Sequence, residues 1–246
     1  MDKKLMDHYN SRDQSRILTF ISFMGLFILL GLYLFAPEPG TIYWFQKPLI
    51  FTIFVAICIL GGLATVYPSF CKGVLEFRKE DFSTKGFSTK DDSYPICFQG
   101  HHPDCGHFES HTFRIHGKKY CPGCSGLFVG VVLAVAFVLI YYFKGMPLLY
   151  GNISFGIGWV MVFISLLSLT LRVMGTRSKF TANLFLVVGS ALLIIGLNTF
   201  KGNILVECYF LLLIVFFILT RTVTSKNNHE RICRSCQKTG CLYDSY

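Results

Sequence analysis

The sequence predicts an all-α polytopic membrane protein: a bundle of about six transmembrane helices with small cytoplasmic Cys/His-rich metal knuckles. Hydrophobic side chains make up 52% of the 246 residues, more than the roughly 45–50% of soluble domains. Charged residues make up only 15%, whereas about a quarter is usual. The apolar stretches are continuous, and a β-barrel would instead need alternating strands of about ten residues. Helices in a bilayer are therefore the expected architecture.

Six apolar runs are close to the length of about 18 or more residues that a transmembrane helix needs. The first run is too long for a signal peptide, and a Pro-Glu-Pro-Gly turn at residues 37–40 follows it instead of a cleavage site. Only four residues separate the last two runs, which predicts a tight antiparallel helical hairpin. In chain order the runs are 17–36, 49–67, 125–143, 153–171, 182–199 and 204–219.

The distribution of lysine and arginine predicts the orientation. Residues 1–16 hold four of these cations, 68–124 hold eight, 172–181 hold three, and the segment from 220 holds five. The three alternate loops hold one each. By the positive-inside rule, both termini and the long loop face the cytoplasm of a multi-pass cell-membrane protein. The net charge of +9 is then explained by topology, and a nucleic-acid partner is not expected.

These signals divide the chain into four parts. Residues 1–67 contain the N-terminal tail and two helices, and 68–124 form a cytoplasmic loop with a Cys/His cluster. Residues 125–219 contain four helices, and 220–246 form a cytoplasmic cysteine-rich tail. Membrane lipid is the expected partner of the helices, and a protein partner is expected at the cytoplasmic face.

Eight of the ten cysteines lie on or beside the predicted cytoplasmic segments. Disulfides rarely persist in that reducing compartment, so these cysteines are interpreted as metal ligands or redox groups. Cys58 and Cys208 lie within or at the edge of spans and are interpreted as ordinary packing residues.

The first Cys/His cluster holds nine candidate ligands within the 28 residues from 97 to 124. Zinc prefers four tetrahedral sulfur and nitrogen ligands, and a C-x-x-C turn directs two thiolates at one ion. The Pro-Gly insert of this C-x-x-C suits such a turn. The predicted ligands are Cys121, Cys124, Cys105 and His107, with Cys97 as the main substitute.

A second cluster near the C-terminus has the spacing H-x3-C-x2-C-x4-C. It supplies four further candidate ligands, and the alternative is a basic tail with incidental cysteines. Its thiolates are also candidates for a composite site shared with Cys97, so one site and two sites both remain open. The residues are His229, Cys233, Cys236 and Cys241.

Zinc is the favoured metal, and an iron–sulfur cluster with four thiolates is the alternative. The C-x-x-C precedes a span, where the helix dipole favours the thiolate, and this helps metal binding and dithiol exchange equally. A zinc-deaminase pattern, suggested by His107 and Glu109, is rejected because the proline lies inside the C-x-x-C and no alternation of strands and helices surrounds it. The sequence therefore leans away from an enzyme.

Within the spans the sequence offers two features. Glu207 is the one ionisable residue that approaches an intramembrane position, and we interpret it as interfacial. Gly126 and Gly130 form a small-xxx-small pair, which predicts a close helix contact.

The stretch from Glu109 to Gly130 resembles the multi-pass prokaryotic membrane proteins grouped as domain of unknown function 2085. In that family a Cys/His element precedes a C-x-x-C-[ST]-G motif that opens a transmembrane helix. The sequence departs from the family in having residues 110–113 (Ser-His-Thr-Phe) where an Arg-Ser-Phe-like segment is usual, and Pro-Gly between the cysteines. Over residues 97–130 the resemblance implies a functional element of Cys105, His107, Cys121, Cys124, Ser125 and Gly126, and it implies no known activity.

The leading hypothesis is an integral membrane protein whose cytoplasmic zinc-binding clusters serve a structural, regulatory or partner-docking role. One alternative is a membrane oxidoreductase or electron carrier that uses an iron–sulfur centre or a dithiol. A second is a metal transporter or sensor, against which the scarcity of polar ligands inside the spans counts.

Overall fold

A computed structural model describes residues 3–35, 44–66, 112–116, 118–145, 147–170, 175–200 and 202–234. In these residues six helices each contain a segment long and apolar enough to cross a membrane. The predicted all-α polytopic bundle is confirmed, and the chain is a multi-pass membrane protein. The elements are α1 (Lys3–Phe35), α2 (Gln46–Val66), β1 (Phe113–Ile115), β2 (Lys118–Tyr120), α3 (Pro122–Lys144), α4 (Leu148–Thr170), α5 (Thr176–Phe200) and α6 (Ile204–Arg234).

Successive helices run antiparallel, so the bundle has two ends. We call the end where α1, α3 and α5 begin the cysteine end, because Cys121 and Cys124 lie there. The opposite end, where α6 begins, is the glutamate end, because Glu207 lies in the first turn of α6. The predicted hairpin between the last two spans is confirmed: α5 ends at Phe200, α6 begins at Ile204, and Gly202 adopts a positive φ of 55° in the turn.

All six helices are longer than the apolar runs that predicted them, and α1 already begins at Lys3 instead of 17. The other large extensions are in α4, α5 and α6. Helix α4 begins at Leu148 instead of 153, α5 begins at Thr176 instead of 182, and α6 continues past 219 to Arg234. An apolar run marks only the part of a helix in hydrocarbon, and polar residues extend the helix into the interface. Residues 220–234, predicted as the start of the tail, are therefore helical.

Glycines set the distance between α3 and α5. Gly126 and Gly130 are both buried in this contact. A Cβ atom on Gly126 would overlap the carbonyl oxygen of Phe180, and one on Gly130 would lie 3.1 Å from Cβ of Val187. Because backbones approach this closely only where side chains are absent, the predicted small-residue contact is confirmed.

Helix α5 makes a second close contact, with α4. A Cβ on Gly158 would lie 2.7 Å from the carbonyl oxygen of Gly189, and one on Gly196 would lie 2.8 Å from that of Gly151. With α3 on one side and α4 on another, α5 has the most buried span of the six. Helix α5 is therefore the centre of the bundle.

Hydroxyl groups join α1 to α6. Ser15 and Thr224 are hydrogen-bonded at 2.9 Å, Ser22 and Thr220 at 2.8 Å, and the Tyr209 hydroxyl donates to the carbonyl of Gly25 at 2.9 Å. Such interhelical bonds contribute on average about 0.6 kcal/mol each within a membrane. Since Thr220 and Thr224 lie beyond residue 219, these bonds give a physical reason for the continuation of α6.

Candidate functional site

A short hairpin leads the chain into the cysteine end. Strands β1 and β2 pair antiparallel, with Phe113 opposite Tyr120, and the two rings stack at 5.8 Å between centroids. His116 takes a positive φ of 51° in the connection. The sequence analysis did not predict these strands, although a His-Gly pair between short β-compatible segments is a recognisable turn signal. The hairpin ends one residue before Cys121.

Cys121 caps the N-terminus of α3, and Pro122 occupies the first turn, where the ring is favoured because no N–H partner is needed. The amide of Ser125 donates to the carbonyl of Cys121 at 3.0 Å. Cys121 is buried, Cys124 is half-buried, and neither is in a disulfide. The structure therefore brings this predicted pair to the start of one helix, a single turn apart.

Two cationic side chains from other helices lie next to this turn. The Arg221 guanidinium of α6 donates through Nε to Oδ1 of Asn183 and through Nη2 to the carbonyl of Gly123 at 3.4 Å. Asn183 in turn donates to the carbonyl of Lys179 at 2.6 Å, and Lys179 is close enough to Cys121 for an electrostatic interaction. The Cys-Pro-Gly-Cys turn is thus held against α5 and α6, beside two cationic side chains.

The other predicted ligands cannot be placed beside this pair. Among the described residues, no group of three or more His, Cys, Asp or Glu side chains is arranged to hold a metal. His229 and Cys233 belong to the last turns of α6, but their side chains lie outside the described part. Cys97, Cys105, His107, Cys236 and Cys241 lie outside the described residues, and their role as ligands stays a prediction.

A second cluster lies at the glutamate end and is centred on a buried carboxyl group. Glu207, interpreted from the sequence as interfacial, has no exposed surface. Its Oε1 accepts a hydrogen bond from Nδ2 of Asn198 at 2.7 Å, and its Oε2 accepts one from Nε2 of Gln46 at 3.0 Å. Gln46 also donates to the carbonyl of Gly202 at 2.6 Å. Two amide donors thus compensate the desolvation of this carboxyl group.

The network around Glu207 extends to α3. The Tyr141 hydroxyl donates to Oδ1 of Asn198 at 2.9 Å and accepts from the Thr199 hydroxyl at 3.0 Å. Above the Tyr141 ring, Nζ of Lys47 lies 4.5 Å from the centroid, a cation–π distance. Four helices, α2, α3, α5 and α6, therefore meet through polar side chains at this end.

Sequence reasoning named Glu207 but missed the residues that surround it. Gln46 precedes its apolar run, and Asn198 and Thr199 end theirs, so each is individually typical of a helix end. A weak signal was available in the sequence. Polar side chains at the same end of three spans lie at the same depth in the bilayer, so they could contact one another. Which of them touch depends on the rotation of each helix.

The fold and these two clusters define a polytopic α-helical membrane protein with a cysteine pair at one end and a buried carboxyl group at the other. No protein-family model matches the chain, and neither a curated protein nor a solved structure matches it significantly. The resemblance to the family grouped as domain of unknown function 2085 stays a prediction.

Proposed function

We propose that this protein is an integral protein of the cell membrane in which zinc-binding Cys/His centres on the cytoplasmic side fix helix positions or dock a protein partner. Both termini and the cysteine end face the cytoplasm in this proposal, in keeping with the positive-inside rule. The observation that supports it best is the position of Cys121 and Cys124 at the start of α3. Arg221 and Asn183 anchor that same turn to two other helices.

Zinc at this turn would act as a structural link. Cys121 and Cys124 would supply two thiolates, and Cys105, His107 or Cys97 from the preceding loop would complete a closed set of four ligands. A closed set leaves no position for substrate, which favours a structural or docking role over catalysis. Because α3 crosses α5 at Gly126, a metal held at its start would tie the loop to the centre of the bundle.

The first experiment measures metal per chain, together with an optical spectrum, on the full-length protein purified anaerobically. We expect colourless protein with one or two zinc ions. The Cys121→Ser/Cys124→Ser variant should lose zinc and unfold at a lower temperature, since metal binding to the native state contributes to folding. Cys208→Ser is the matched control because this cysteine is exposed on α6, away from the cysteine end. Full metal content with full stability in the double variant would contradict the proposal.

A dithiol or iron–sulfur role is the second candidate, and the cationic setting of the pair favours it. Lys179, Arg221 and the helix N-terminus all stabilise thiolate, the reactive form of cysteine. This candidate expects visible absorbance from iron and sulfide, or a thiol pair that titrates against a defined redox buffer. Colourless protein whose Cys121 and Cys124 do not titrate would exclude it.

A further inference from the structure

Glu207 is an ionisable side chain that the proposed function does not use. It lies in the first turn of α6 and has no exposed surface. Within the described part of the chain it forms no ion pair. A carboxyl group enclosed in a membrane bundle without a paired cation is costly, and such residues often mark sites where protons or ions bind. The hydrogen bonds around its two oxygens indicate which of these ligands it takes.

One oxygen of this carboxyl group, Oε2, always faces a hydrogen-bond donor. Nε2 of Gln46 lies 3.0 Å from Oε2 and 2.6 Å from the carbonyl oxygen of Gly202. A backbone carbonyl only accepts hydrogen bonds, so the amide atom between these two oxygens must be the nitrogen. Gln46 therefore cannot turn its own oxygen towards Oε2. A proton bound to Glu207 must lie on Oε1.

The other oxygen, Oε1, faces a chain of groups that can each reverse their role. Nδ2 of Asn198 lies 2.7 Å from Oε1, and Oδ1 of the same amide lies 2.9 Å from the Tyr141 hydroxyl. The Thr199 hydroxyl lies 3.0 Å from that of Tyr141 and 2.8 Å from the carbonyl of Ile195. An amide can turn over to exchange its oxygen and nitrogen, and a hydroxyl both donates and accepts. This chain can therefore run in either direction.

Both charge states of Glu207 keep every link of this chain. When Glu207 is ionised, Asn198 donates to Oε1, Tyr141 donates to Asn198, and Thr199 donates to Tyr141. With a proton on Oε1 each bond reverses: the carboxyl O–H donates to Oδ1 of Asn198, and Nδ2 donates to the Tyr141 oxygen. Tyr141 then donates to Thr199, and Thr199 donates to the carbonyl of Ile195. Neither state breaks a buried hydrogen bond, so neither carries the cost of an unpaired link.

We propose that Glu207 is a reversible proton-binding site, with Oε1 as the protonated atom and Asn198, Tyr141 and Thr199 as the chain that reverses. The proton comes from water at the glutamate end, forms an O–H bond at Oε1 and removes the negative charge. A metal ion does not fit, because it needs oxygen ligands and both carboxylate oxygens already face amide N–H groups. Asn198 and Thr199 are half-buried in the last turn of α5, so the chain leads towards the membrane interface. This inference does not depend on the zinc proposal.

The charged and titratable groups near the site leave both states accessible. On α2, Nζ of Lys47 lies 4.5 Å from the ring centroid of Tyr141, the titratable group of α3 that faces the site. Lys144 at the end of α3 is exposed, and the Tyr33 hydroxyl of α1 donates to Asn152 of α4 instead. Lys47 and the positive end of the α6 dipole favour the ionised form, whereas the apolar surroundings favour the protonated form.

Infrared difference spectroscopy of the full-length protein in nanodiscs detects this proton directly, because a protonated carboxyl group has a carbonyl stretch that a carboxylate lacks. Spectra are recorded while the pH is lowered and raised over the range in which the protein stays folded. We expect a carboxylic-acid band that rises and falls reversibly and is lost in Glu207→Gln, while the bands of exposed carboxyl groups remain. The variant should fold, because its amide accepts from Gln46 through oxygen and donates to Asn198 through nitrogen, as a protonated Glu207 does.

A matched pair of variants on α5 tests the reversing chain without relying on Glu207→Gln. Thr199→Val keeps the shape of the side chain but leaves the Tyr141 O–H without an acceptor in the protonated state. We expect about tenfold weaker proton binding, a titration midpoint lower by about one pH unit. Thr181→Val should titrate like the unchanged protein, because Thr181 is exposed and its hydroxyl bonds only within α5.

Four results would overturn the proposal. The first is a carboxyl band that does not titrate in the folded protein, and the second is a band that persists in Glu207→Gln. The third is equal titration of Thr199→Val and Thr181→Val, which would mean that the chain does not reverse. The fourth is a band that changes with sodium or calcium at fixed pH, which would make the ligand a metal ion.

Discussion

At the scale of single residues, each end of the bundle depends on one polar side chain of α6. That side chain is hydrogen-bonded to groups on other helices. Glu207 accepts from Gln46 and Asn198, and Arg221 donates to Asn183 and Gly123. In an apolar environment each such group is costly if its partner is removed. Substitutions at these positions therefore test the structure directly.

Replacing Glu207 should destabilise the glutamate end. In Glu207→Ala the amide of Asn198 loses its acceptor, and Gln46 keeps only the carbonyl of Gly202. Each buried N–H left unpaired costs about 1–3 kcal/mol. Glu207→Gln should cost less, because one amide oxygen still accepts a bond. Thermal unfolding in detergent measures the difference, with Leu212→Ala, a lipid-facing change on the same helix (69% exposed), as the control. Equal melting temperatures for Glu207→Ala and Leu212→Ala would contradict the role of the network.

Replacing Arg221 should loosen the Cys-Pro-Gly-Cys turn. Arg221→Lys keeps the positive charge, which favours thiolate, but loses the planar guanidinium that joins Gly123 to Asn183. We therefore expect Cys121, now only 7% exposed, to react several-fold faster with maleimide in zinc-free protein. Lys226→Arg, a charge-conserving change at an exposed cation of the same helix, is the matched control. If Cys121 reacts at the same rate in both variants, Arg221 does not position the turn.

At the scale of elements, the helices are held by two kinds of contact. Glycines allow α5 to approach α3 and α4 to backbone distance, while hydroxyl pairs join α1 to α6. In lipid, helix association gains little from burying apolar side chains, since the acyl chains are equally apolar. Close packing and interhelical hydrogen bonds therefore decide which helices become neighbours.

The closest crossing gives the sharpest prediction for an element. Gly126→Ala places a methyl group against the backbone carbonyl of Phe180, which cannot move as a side chain does, so α3 and α5 must separate. We expect a loss of about 1–3 kcal/mol, as for other overpacked sites, seen as a lower unfolding temperature. Gly61→Ala, where a Cβ meets open space, should be close to neutral. A neutral Gly126→Ala would mean that the helices cross less closely than described.

At the scale of the whole molecule, α3, α5 and α6 each contribute to both ends. Helix α3 carries Cys121 and Tyr141, α5 carries Asn183 and Asn198, and α6 carries Arg221 and Glu207. These helices form a continuous support between the cysteine pair and the buried carboxyl group.

The proposed orientation of the whole molecule is tested by labelling from outside. A membrane-impermeant maleimide added to intact cells should leave Cys124 unlabelled until the membrane is permeabilised, because the cysteine end is expected to be cytoplasmic. The control is Trp44→Cys, an exposed position at the glutamate end, which should label in intact cells. The reverse pattern would invert the proposed topology.

Local sequence alone predicted the number of spans, the cysteine pair at the start of a helix, the hairpin at residues 200–203 and the close contact at Gly126. Each of these depends on residues near one another in the chain: an apolar run, a C-x-x-C spacing, a short connection, a small-xxx-small pair. The other predicted Cys and His ligands, or their side chains, lie outside the described part of the chain. Their role as metal ligands stays a prediction.

Tertiary structure alone decided which distant side chains meet. Nothing in the hydropathy of the six helices indicates that Gln46 and Asn198 converge on Glu207. Nor does it indicate that Arg221 reaches Gly123, or that Asn152 of α4 meets Tyr33 of α1. A helix in lipid is apolar on nearly every face, so its sequence pattern does not fix its rotation or its neighbours. Those are fixed by glycine crossings and hydrogen bonds that form only when the helices pack together.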